Sequence, residues 1–210
     1  QETVLMINEL IKSDAFDITS PRLIYQGSNS SLLNTIDELK LGKISGIITA
    51  GVNPGYSLPN AEEFLELVSK LEFSLCFSMK EDETANSCKY LAATPHYLES
   101  WGDYEFKSGH YYLSQPTIKP LFDTNQFQDI ILTLSGSNNS FYDEIKTNWR
   151  TNILKGKTWG KSLQDGFYYS YENNALRRIK TTLNLDNLPI QNNDELDLIL
   201  YTKIGLGDGQ

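Results

Sequence analysis

The stretch ISGIITAGVNPG, residues 44–55, decides how this chain can fold. Its first half is a β-branched, apolar run without alternation, which is typical of a strand covered on both faces in a parallel sheet. Its second half is a turn of glycine, asparagine and proline directly after that strand. Because open parallel sheets bind ligands beyond the carboxyl ends of their strands, the turn at 51–55 is a candidate binding loop. An ordinary connection from strand to helix is the simpler interpretation of the same residues.

Helix and strand patterns alternate on both sides of this stretch. The predicted strands lie at 22–26, 44–50, 73–77 and 90–94, and the predicted helices at 2–12, 31–41, 61–71 and 82–88. Apolar residues recur at helical spacing in the longer helices, and Gly42 provides a stop signal after the second. This alternation predicts an α/β fold with a doubly wound, mostly parallel, Rossmann-like sheet flanked by helices.

The second half of the chain has a different texture. Aromatic and turn residues over 97–120 predict irregular chain with a hairpin, with turns at 102–103 and 108–109. Helices are predicted at 126–134, 140–154 and 158–165, and strands at 168–171 and 196–204 with a polar linker at 188–195. We therefore divide the chain near residue 120 into an α/β sheet part, 1–120, and a mixed helical and β part, 121–210. A single compact unit is the alternative.

Charge and hydropathy exclude two classes of partner. A net charge of −9 and a pI near 4.7 repel phosphate backbones, so we expect no nucleic-acid binding. No apolar run approaches the roughly 20 residues that span a bilayer, so we expect a soluble chain without direct membrane insertion. No signal peptide is visible at the start, and 205–210 is a glycine-rich end without a closing element. We interpret the chain as a fragment of a longer protein.

The residues that commonly bind metals are sparse. Cys76 and Cys88 form no CxxC pattern, and two thiols cannot hold an iron–sulfur cluster or a structural zinc ion. A disulfide between them is an open alternative. His96 and His110 have no Cys or His at ligand spacing, which favours a structural role for both. The sequence thus predicts no metal site and no catalytic residue.

A second candidate loop follows the predicted strand at 73–77. The acidic residues and threonine at 81–85 suit the start of a helix, where they bind free backbone N–H groups. A pair of carboxylates working as acid and base is the alternative, although no histidine accompanies them. Further along, Glu99 and Asp103 flank Trp101. Their side chains either anchor the loop around Trp101 or lie in solvent.

These loops form an ordered series of motifs: GVNP at 51–54, DETA at 82–85, LAATP at 91–95 and LESWGD at 98–103. The series resembles the cofactor-binding third domain of the molybdopterin oxidoreductases, the dimethyl-sulfoxide-reductase-like superfamily. Two longer stretches, HYLESWGD at 96–103 and QPTIKPLFDT at 115–124, resemble one branch of it more closely. That branch is the fused molybdopterin-like and iron–sulfur subunit of bacterial alternative complex III, which oxidises quinols.

The resemblance implies a set of binding residues. In working members of the superfamily, the first two loops contact the guanine-dinucleotide arms of the molybdenum cofactor. The positions that inherit this role here are Gly51, Asn53, Pro54, Glu83, Thr84 and Glu99. In the alternative-complex-III branch this domain carries no molybdenum cofactor, and the iron–sulfur clusters lie in another domain. The resemblance therefore implies a vestigial pocket and no cofactor within this chain.

The implied function is structural. We expect a non-catalytic domain of a respiratory iron–sulfur subunit that supports the neighbouring iron–sulfur domain and contacts other subunits. Its implied location is peripheral, on the periplasmic side of the bacterial inner membrane, and its parent would be an oxidoreductase subunit. Two alternatives stay open. The chain could supply part of the pterin-dinucleotide site of an active molybdenum oxidoreductase, or it could be a free-standing module that binds a small ligand.

Overall fold

A computed structural model describes residues 2–13, 15, 21–24, 27–170 and 201. Its helices are α1 (Glu2–Leu10), α2 (Asn29–Lys40), α3 (Pro54–Ser57), α4 (Ala61–Lys70), α5 (Glu83–Ser87), α6 (Phe127–Leu134), α7 (Phe141–Asn148) and α8 (Trp159–Asp165). Its strands are β1 (Gly46–Ala50), β2 (Phe73–Ser78), β3 (Tyr90–Ala93), β4 (Gly102–Lys107), β5 (His110–Ser114) and β6 (Phe167–Tyr169). The strands form two three-stranded sheets, one parallel and one antiparallel.

The parallel sheet has the order β1-β2-β3, with Thr49 opposite Cys76 and Cys76 opposite Leu91. Helices α2 and α4 supply the first hydrophobic core, against which Ile47 of β1 packs. The buried members of this core are Ile36, Leu39, Phe64, Val68 and Leu71. The helices and strands predicted between residues 31 and 94 are confirmed in kind, within a few residues at their ends.

The opposite face of the parallel sheet is covered at one end. Phe77 packs edge-on against Phe127 of α6, with 4.8 Å between ring centroids. Ile48 and Tyr90 on the same face remain 48% and 57% exposed. The α/β class and a parallel sheet are therefore confirmed, whereas the doubly wound, Rossmann-like arrangement stays a prediction.

The antiparallel sheet has the order β4-β5-β6 and contains the predicted hairpin. Gly109 takes a left-handed conformation (φ +77°) at the predicted turn after Ser108. The turn predicted at 102–103 is wrong, because Gly102 pairs with Ser114 and begins β4. The strand predicted at 168–171 is confirmed over its first two residues as part of β6, and position 171 lies outside the described residues.

The strand predicted at 22–26 does not join the parallel sheet. In its described part, Arg22 pairs antiparallel with Lys107, and the N–H of Leu23 donates to the Phe106 carbonyl at 2.9 Å. The edge of β4 offers unpaired backbone groups, which a neighbouring extended segment can satisfy. The polar linker predicted at 188–195 and the strand predicted at 196–204 lie outside the described residues, apart from Tyr201.

The helix predicted over 140–154 changes its winding midway. It runs as α7 to Asn148 and then as a π-helical turn, Trp149–Ile153. Four residues make slightly more than one turn of an α-helix and slightly less than one turn of the wider π-helix. The angular offsets between residues four apart therefore have opposite signs in the two helices. The change keeps Ile145, Trp149 and Ile153 on one side, where all three are buried in the second core. Tyr111, Leu113 and Tyr168 of the antiparallel sheet pack against this core.

Candidate functional site

Two loops meet at the carboxyl edge of the parallel sheet. The first follows β1 and leads into α3, and the second follows β2 and leads into α5. Because β1 and β2 are parallel neighbours, their carboxyl ends lie side by side. Gly51 opens the first loop in a left-handed conformation (φ +63°), and its N–H donates to the Phe77 carbonyl at 3.1 Å.

Asn53 joins the two loops through both ends of its carboxamide. Its Oδ1 accepts hydrogen bonds from the Thr84 hydroxyl at 2.7 Å and from the Thr84 backbone N–H at 3.3 Å. Its Nδ2 donates to Glu83 Oε2 at 2.7 Å. The Thr84 hydroxyl oxygen also accepts from the Gly55 N–H at 2.9 Å. We call Asn53, Gly55, Glu83 and Thr84 the loop clasp.

Gly55 allows the two loops to approach each other. A Cβ atom at this position would lie 2.7 Å from Leu65 Cδ2 and 3.1 Å from both Glu83 Cβ and the Thr84 nitrogen. Pro54 occupies the start of α3, where its missing N–H costs no helical hydrogen bond. The sequence pattern did not single out Gly55 as a contact position, although a glycine inside the first turn of a helix is an unusual choice.

Asp82 caps the helix that carries the second half of the clasp. Its Oδ1 accepts from the Ala85 N–H at 2.9 Å, and its Oδ2 accepts from the Ser78 hydroxyl at 3.1 Å. The helix-start interpretation of the acidic loop at 81–85 is thereby confirmed. Within the described ranges, no group of three or more His, Cys, Asp or Glu side chains is placed to hold a metal ion.

The members of the clasp differ in their access to solvent. Thr84 is 0% exposed and Gly55 is buried, whereas Asn53 is half-buried and Glu83 is exposed. The hydrogen bond from Asn53 lowers the pKa of the Glu83 carboxyl below its ordinary value, so Glu83 is ionised at neutral pH. The surface of the clasp thus offers one carboxylate acceptor beside the exposed backbone of Gly51.

Glu99, the sixth predicted binding position, forms its hydrogen bonds outside the loop clasp. Its Oε2 accepts from the His96 N–H at 3.0 Å, and its Oε1 accepts from the Leu121 N–H at 3.1 Å. His96 Nδ1 in turn accepts from the Leu98 N–H at 3.3 Å. Glu99 therefore anchors the loop around it, as one of the two sequence interpretations expected, and no contact joins it to the clasp.

Two anchoring contacts in this region were missed from the sequence. Gln126 clamps the Trp101 backbone, accepting from its N–H at 3.1 Å and donating to its carbonyl at 2.7 Å. Asp103 Oδ2 accepts from the indole Nε1 of Trp149 at 3.1 Å and ties β4 to the π-helical turn. The residues of each pair lie 25 and 46 positions apart, so no local pattern indicates them.

The two thiols are free and shielded. Cys76 is buried in β2, and Cys88 is half-buried beside the first core. Burial raises the pKa of Cys76 and raises the pKa of Cys88 to about 11. Both thiols are therefore protonated, and poor nucleophiles, at neutral pH. Along the described part of the chain, no helix is long and apolar enough to cross a bilayer.

Comparisons with known proteins agree with this fold. No protein-family model matches the chain. Over 88 residues it is 33% identical to the menaquinone reductase, molybdopterin-binding-like subunit of Nitratidesulfovibrio vulgaris, a match covering 40% of this chain and 13% of that protein. Its structure is similar to acetylene hydratase from Pelobacter acetylenicus, with a TM-score of 0.51 and 16% identity, covering 64% of this chain and 20% of that one.

These two likenesses carry different weight. The sequence similarity supports a distant relationship to the molybdopterin oxidoreductase superfamily. The structural similarity shows a shared fold. In both comparisons the match spans about a fifth or less of the other protein's length.

Proposed function

We propose that this chain is a non-catalytic, molybdopterin-oxidoreductase-like domain of a respiratory electron-transfer subunit. The proposed parent is the iron–sulfur subunit of a quinol-oxidising complex of the alternative-complex-III type. The motif series at 51–103 supports this assignment. The name of the Nitratidesulfovibrio relative, a menaquinone reductase subunit, fits a quinone-linked function.

The observation that carries the non-catalytic role is the bonding within the loop clasp. Asn53 and Thr84 are two of the side chains that a dinucleotide would need, and here they bind each other. Thr84 is also wholly buried, so a ligand cannot reach its hydroxyl without opening the clasp. Opening it would leave buried polar groups without partners, at a cost of about 1–3 kcal/mol for each. The clasp therefore acts as a structural joint.

One observation favours the alternative, a pterin-dinucleotide site in an active molybdenum oxidoreductase. Gly51 and Glu83 are both exposed and lie in the two loops at the carboxyl edge of the sheet, where α/β folds bind ligands. A cofactor there would be held by these two groups, with Asn53 and Thr84 fixing their positions. When bound, the cofactor would supply the redox chemistry, and this chain would only bind and orient it.

The proposed role as a scaffold concerns surfaces beyond the clasp. The match covers 13% of the length of the Nitratidesulfovibrio relative, so most of a comparable subunit would lie outside this chain. In our proposal it supports a neighbouring iron–sulfur domain of the same polypeptide and contacts other subunits. The complex would lie on the periplasmic side of the bacterial inner membrane.

Metal and pterin analysis of the natively purified polypeptide that carries these residues tests the proposal. We expect iron, with neither molybdenum nor tungsten and no released guanine dinucleotide. Molybdenum or tungsten near one atom per chain, together with a guanine dinucleotide, would overturn the structural role and favour the alternative.

A titration of the 210-residue chain with guanosine diphosphate adds an independent measurement. The structural role predicts no saturable heat of binding. Saturable binding that Glu83→Gln abolishes would support the alternative, because that substitution removes the accessible carboxylate of the clasp without changing its volume.

A further inference from the structure

The distribution of charge along this chain is uneven. Between residues 145 and 164 there are five basic residues and no acidic one, on a chain with a net charge of −9. The five are Lys146, Arg150, Lys155, Lys157 and Lys161. This segment covers the end of α7, the π-helical turn and most of α8. It is remote in sequence from the loop clasp and carries none of the motifs discussed above.

The structure gathers part of this charge around two adjoining surface depressions. The first is lined by Asp143, Lys146, Thr147, Arg150 and Thr151. The second is lined by Arg150, Leu154, Lys157, Thr158, Trp159 and Gly160. Arg150 lines both depressions. We call the residues that line the two depressions the Arg150 surface.

Asp143, which lines the first depression, and the other carboxylates near this surface already have partners. Asp165 binds both Lys157 and Lys161 at 3.0 Å. The Asp143 carboxylate accepts from the hydroxyl of Ser140, the residue that caps α7, and Glu144 accepts from the Asn139 amide at 2.9 Å. Arg150, by contrast, is exposed and forms no salt bridge with any residue that the structure describes. Its five N–H donors favour a planar carboxylate, which they can bind in a bidentate manner.

Two apolar side chains, Leu154 and Trp159, line the second depression and are held in place by packing. The ring of Trp159 lies 6.0 Å from that of Trp149 and 6.1 Å from that of Tyr142, in edge-to-face contacts. Leu154 packs against the second core beside it. Because packing already fixes these rings, binding a partner to them costs little additional side-chain entropy on this chain. Arginine and tryptophan are also the residues most enriched among those that dominate protein–protein binding.

We propose that the Arg150 surface binds an acidic segment of another protein, with carboxylates on Arg150 and Lys146 and an apolar side chain on Trp159. Charge complementarity argues for this occupant, because the patch is a local cationic site on an acidic molecule. Extended polyanions fit less well, since the net charge of −9 repels them outside the patch. The inference is independent of the proposed function, because it uses none of the clasp residues.

Fluorescence anisotropy with a labelled acidic peptide tests this proposal. The probe is a synthetic peptide of Glu, Asp and Leu, measured at low ionic strength against the full 210-residue chain. A peptide in which Gln and Asn replace the acids serves as the neutral probe. We expect the acidic peptide to bind, the neutral peptide not to bind, and added salt to weaken binding because the contacts are exposed charges.

Charge reversal locates the binding site. The variant Lys146→Glu/Arg150→Glu should weaken binding at least tenfold. The control Lys43→Glu/Lys119→Glu changes two exposed lysines elsewhere by the same total charge and should retain the affinity of the unchanged chain. We expect both variants to fold, because none of the four positions is buried. Circular dichroism checks this expectation.

Three results would overturn the proposal. One is the absence of saturable binding by the acidic peptide. Another is an equal loss of affinity in the control, which would show a response to net charge alone. The third is saturable binding of inorganic phosphate or of phosphatidylglycerol vesicles that the double variant abolishes while peptide binding persists. That pattern would assign the surface to phosphate groups instead of carboxylates.

Discussion

The carboxamide oxygen of Asn53 accepts a 2.7 Å hydrogen bond from the hydroxyl of Thr84, a residue 31 positions further along the chain. This contact joins the loops that leave two adjacent parallel strands. It turns two flexible connections into one fixed edge of the sheet. Because Thr84 is buried, the contact forms part of the folded core and contributes to its stability.

Replacing Asn53 by alanine should destabilise the chain. The change leaves the buried Thr84 hydroxyl without its acceptor, which costs about 1–3 kcal/mol in the free energy of unfolding. Urea denaturation followed by circular dichroism measures this loss. Asn60→Ala is the control, because Asn60 precedes α4 without a side-chain capping hydrogen bond. We expect the control to change stability by less than about 0.5 kcal/mol, and equal losses in both variants would contradict the role of the clasp.

A double-mutant cycle with Thr84→Val should show that the two side chains act together. Valine keeps the shape of threonine and removes the hydroxyl. The loss in the double variant should fall short of the summed single losses by about 0.5–3 kcal/mol. Additive losses would mean that Asn53 and Thr84 stabilise the fold separately.

Adding one methyl group at Gly55 should lower the free energy of unfolding more than adding it at another helical glycine. In Gly55→Ala the new Cβ lies 2.7 Å from Leu65 Cδ2 and close to the Thr84 backbone, which forces the loops apart. We expect a loss of about 1–3 kcal/mol in the free energy of unfolding.

Gly160→Ala is the matched control for Gly55. Gly160 also lies in the first turn of a helix, and nothing lies within 4 Å of its added Cβ. Alanine is favoured over glycine in helices by roughly 0.5–1 kcal/mol, so this variant should be as stable as the parent chain or more so. Similar losses in both variants would show that the close approach at Gly55 is unimportant.

Glu83 should contribute to stability in a pH-dependent manner. Its hydrogen bond from Asn53 lowers the pKa of the carboxyl below the ordinary value of 4.5. A carboxyl whose pKa is lower in the folded state stabilises the fold above 4.5, and this contribution is lost as the pH falls through the folded-state pKa. The melting temperature of Glu83→Gln should therefore lie below that of the parent chain at pH 7, and the difference should shrink below pH 4.5. A difference independent of pH would contradict this assignment.

The contact between Asp103 and Trp149 should matter for the second core. Trp149 is 0% exposed, and its indole N–H donates to Asp103 Oδ2 at 3.1 Å. Asp103→Ala leaves this buried donor without a partner and should cost about 1–3 kcal/mol. Asp103→Asn keeps an oxygen acceptor and should restore most of that stability. An asparagine variant as unstable as the alanine variant would instead point to a requirement for the negative charge, and thermal denaturation distinguishes the two.

The thiols should react slowly in the folded chain. Burial raises the pKa of Cys88 to about 11 and raises that of Cys76, so the reactive thiolate is scarce at pH 8. We expect a thiol reagent such as Ellman's reagent to label neither cysteine quickly under native conditions and to label both in denaturant. Rapid native labelling of Cys76, which lies in β2, would show that the parallel sheet opens locally.

Local patterns in the sequence predicted most individual elements. The apolar run at 44–50 and the helical spacing over 61–71 depend on neighbouring residues, and the structure confirms both as β1 and α4. The strand predicted at 22–26 was counted toward the parallel sheet, whereas its described part pairs with β4, because nothing local distinguishes an edge of one sheet from an edge of another. The change to a π-helical turn at Trp149 could not be predicted from local patterns either. It depends on which side chains are buried in the second core.

The sequence by itself determined the α/β class, the order of the loop motifs and the candidate residues Gly51, Asn53, Pro54, Glu83 and Thr84. The class follows from short-range spacing, and the candidate residues follow from the resemblance of the loop motifs to those of the molybdopterin oxidoreductases. Only the tertiary structure decided which groups those residues bind. The parallel register of β1 and β2 brings Asn53 to Thr84 and directs their polar groups to each other, whereas Glu99 is drawn into a local anchor. Such pairings form across tens of residues, where the geometry of the sheet, and not the neighbouring sequence, sets which groups can meet.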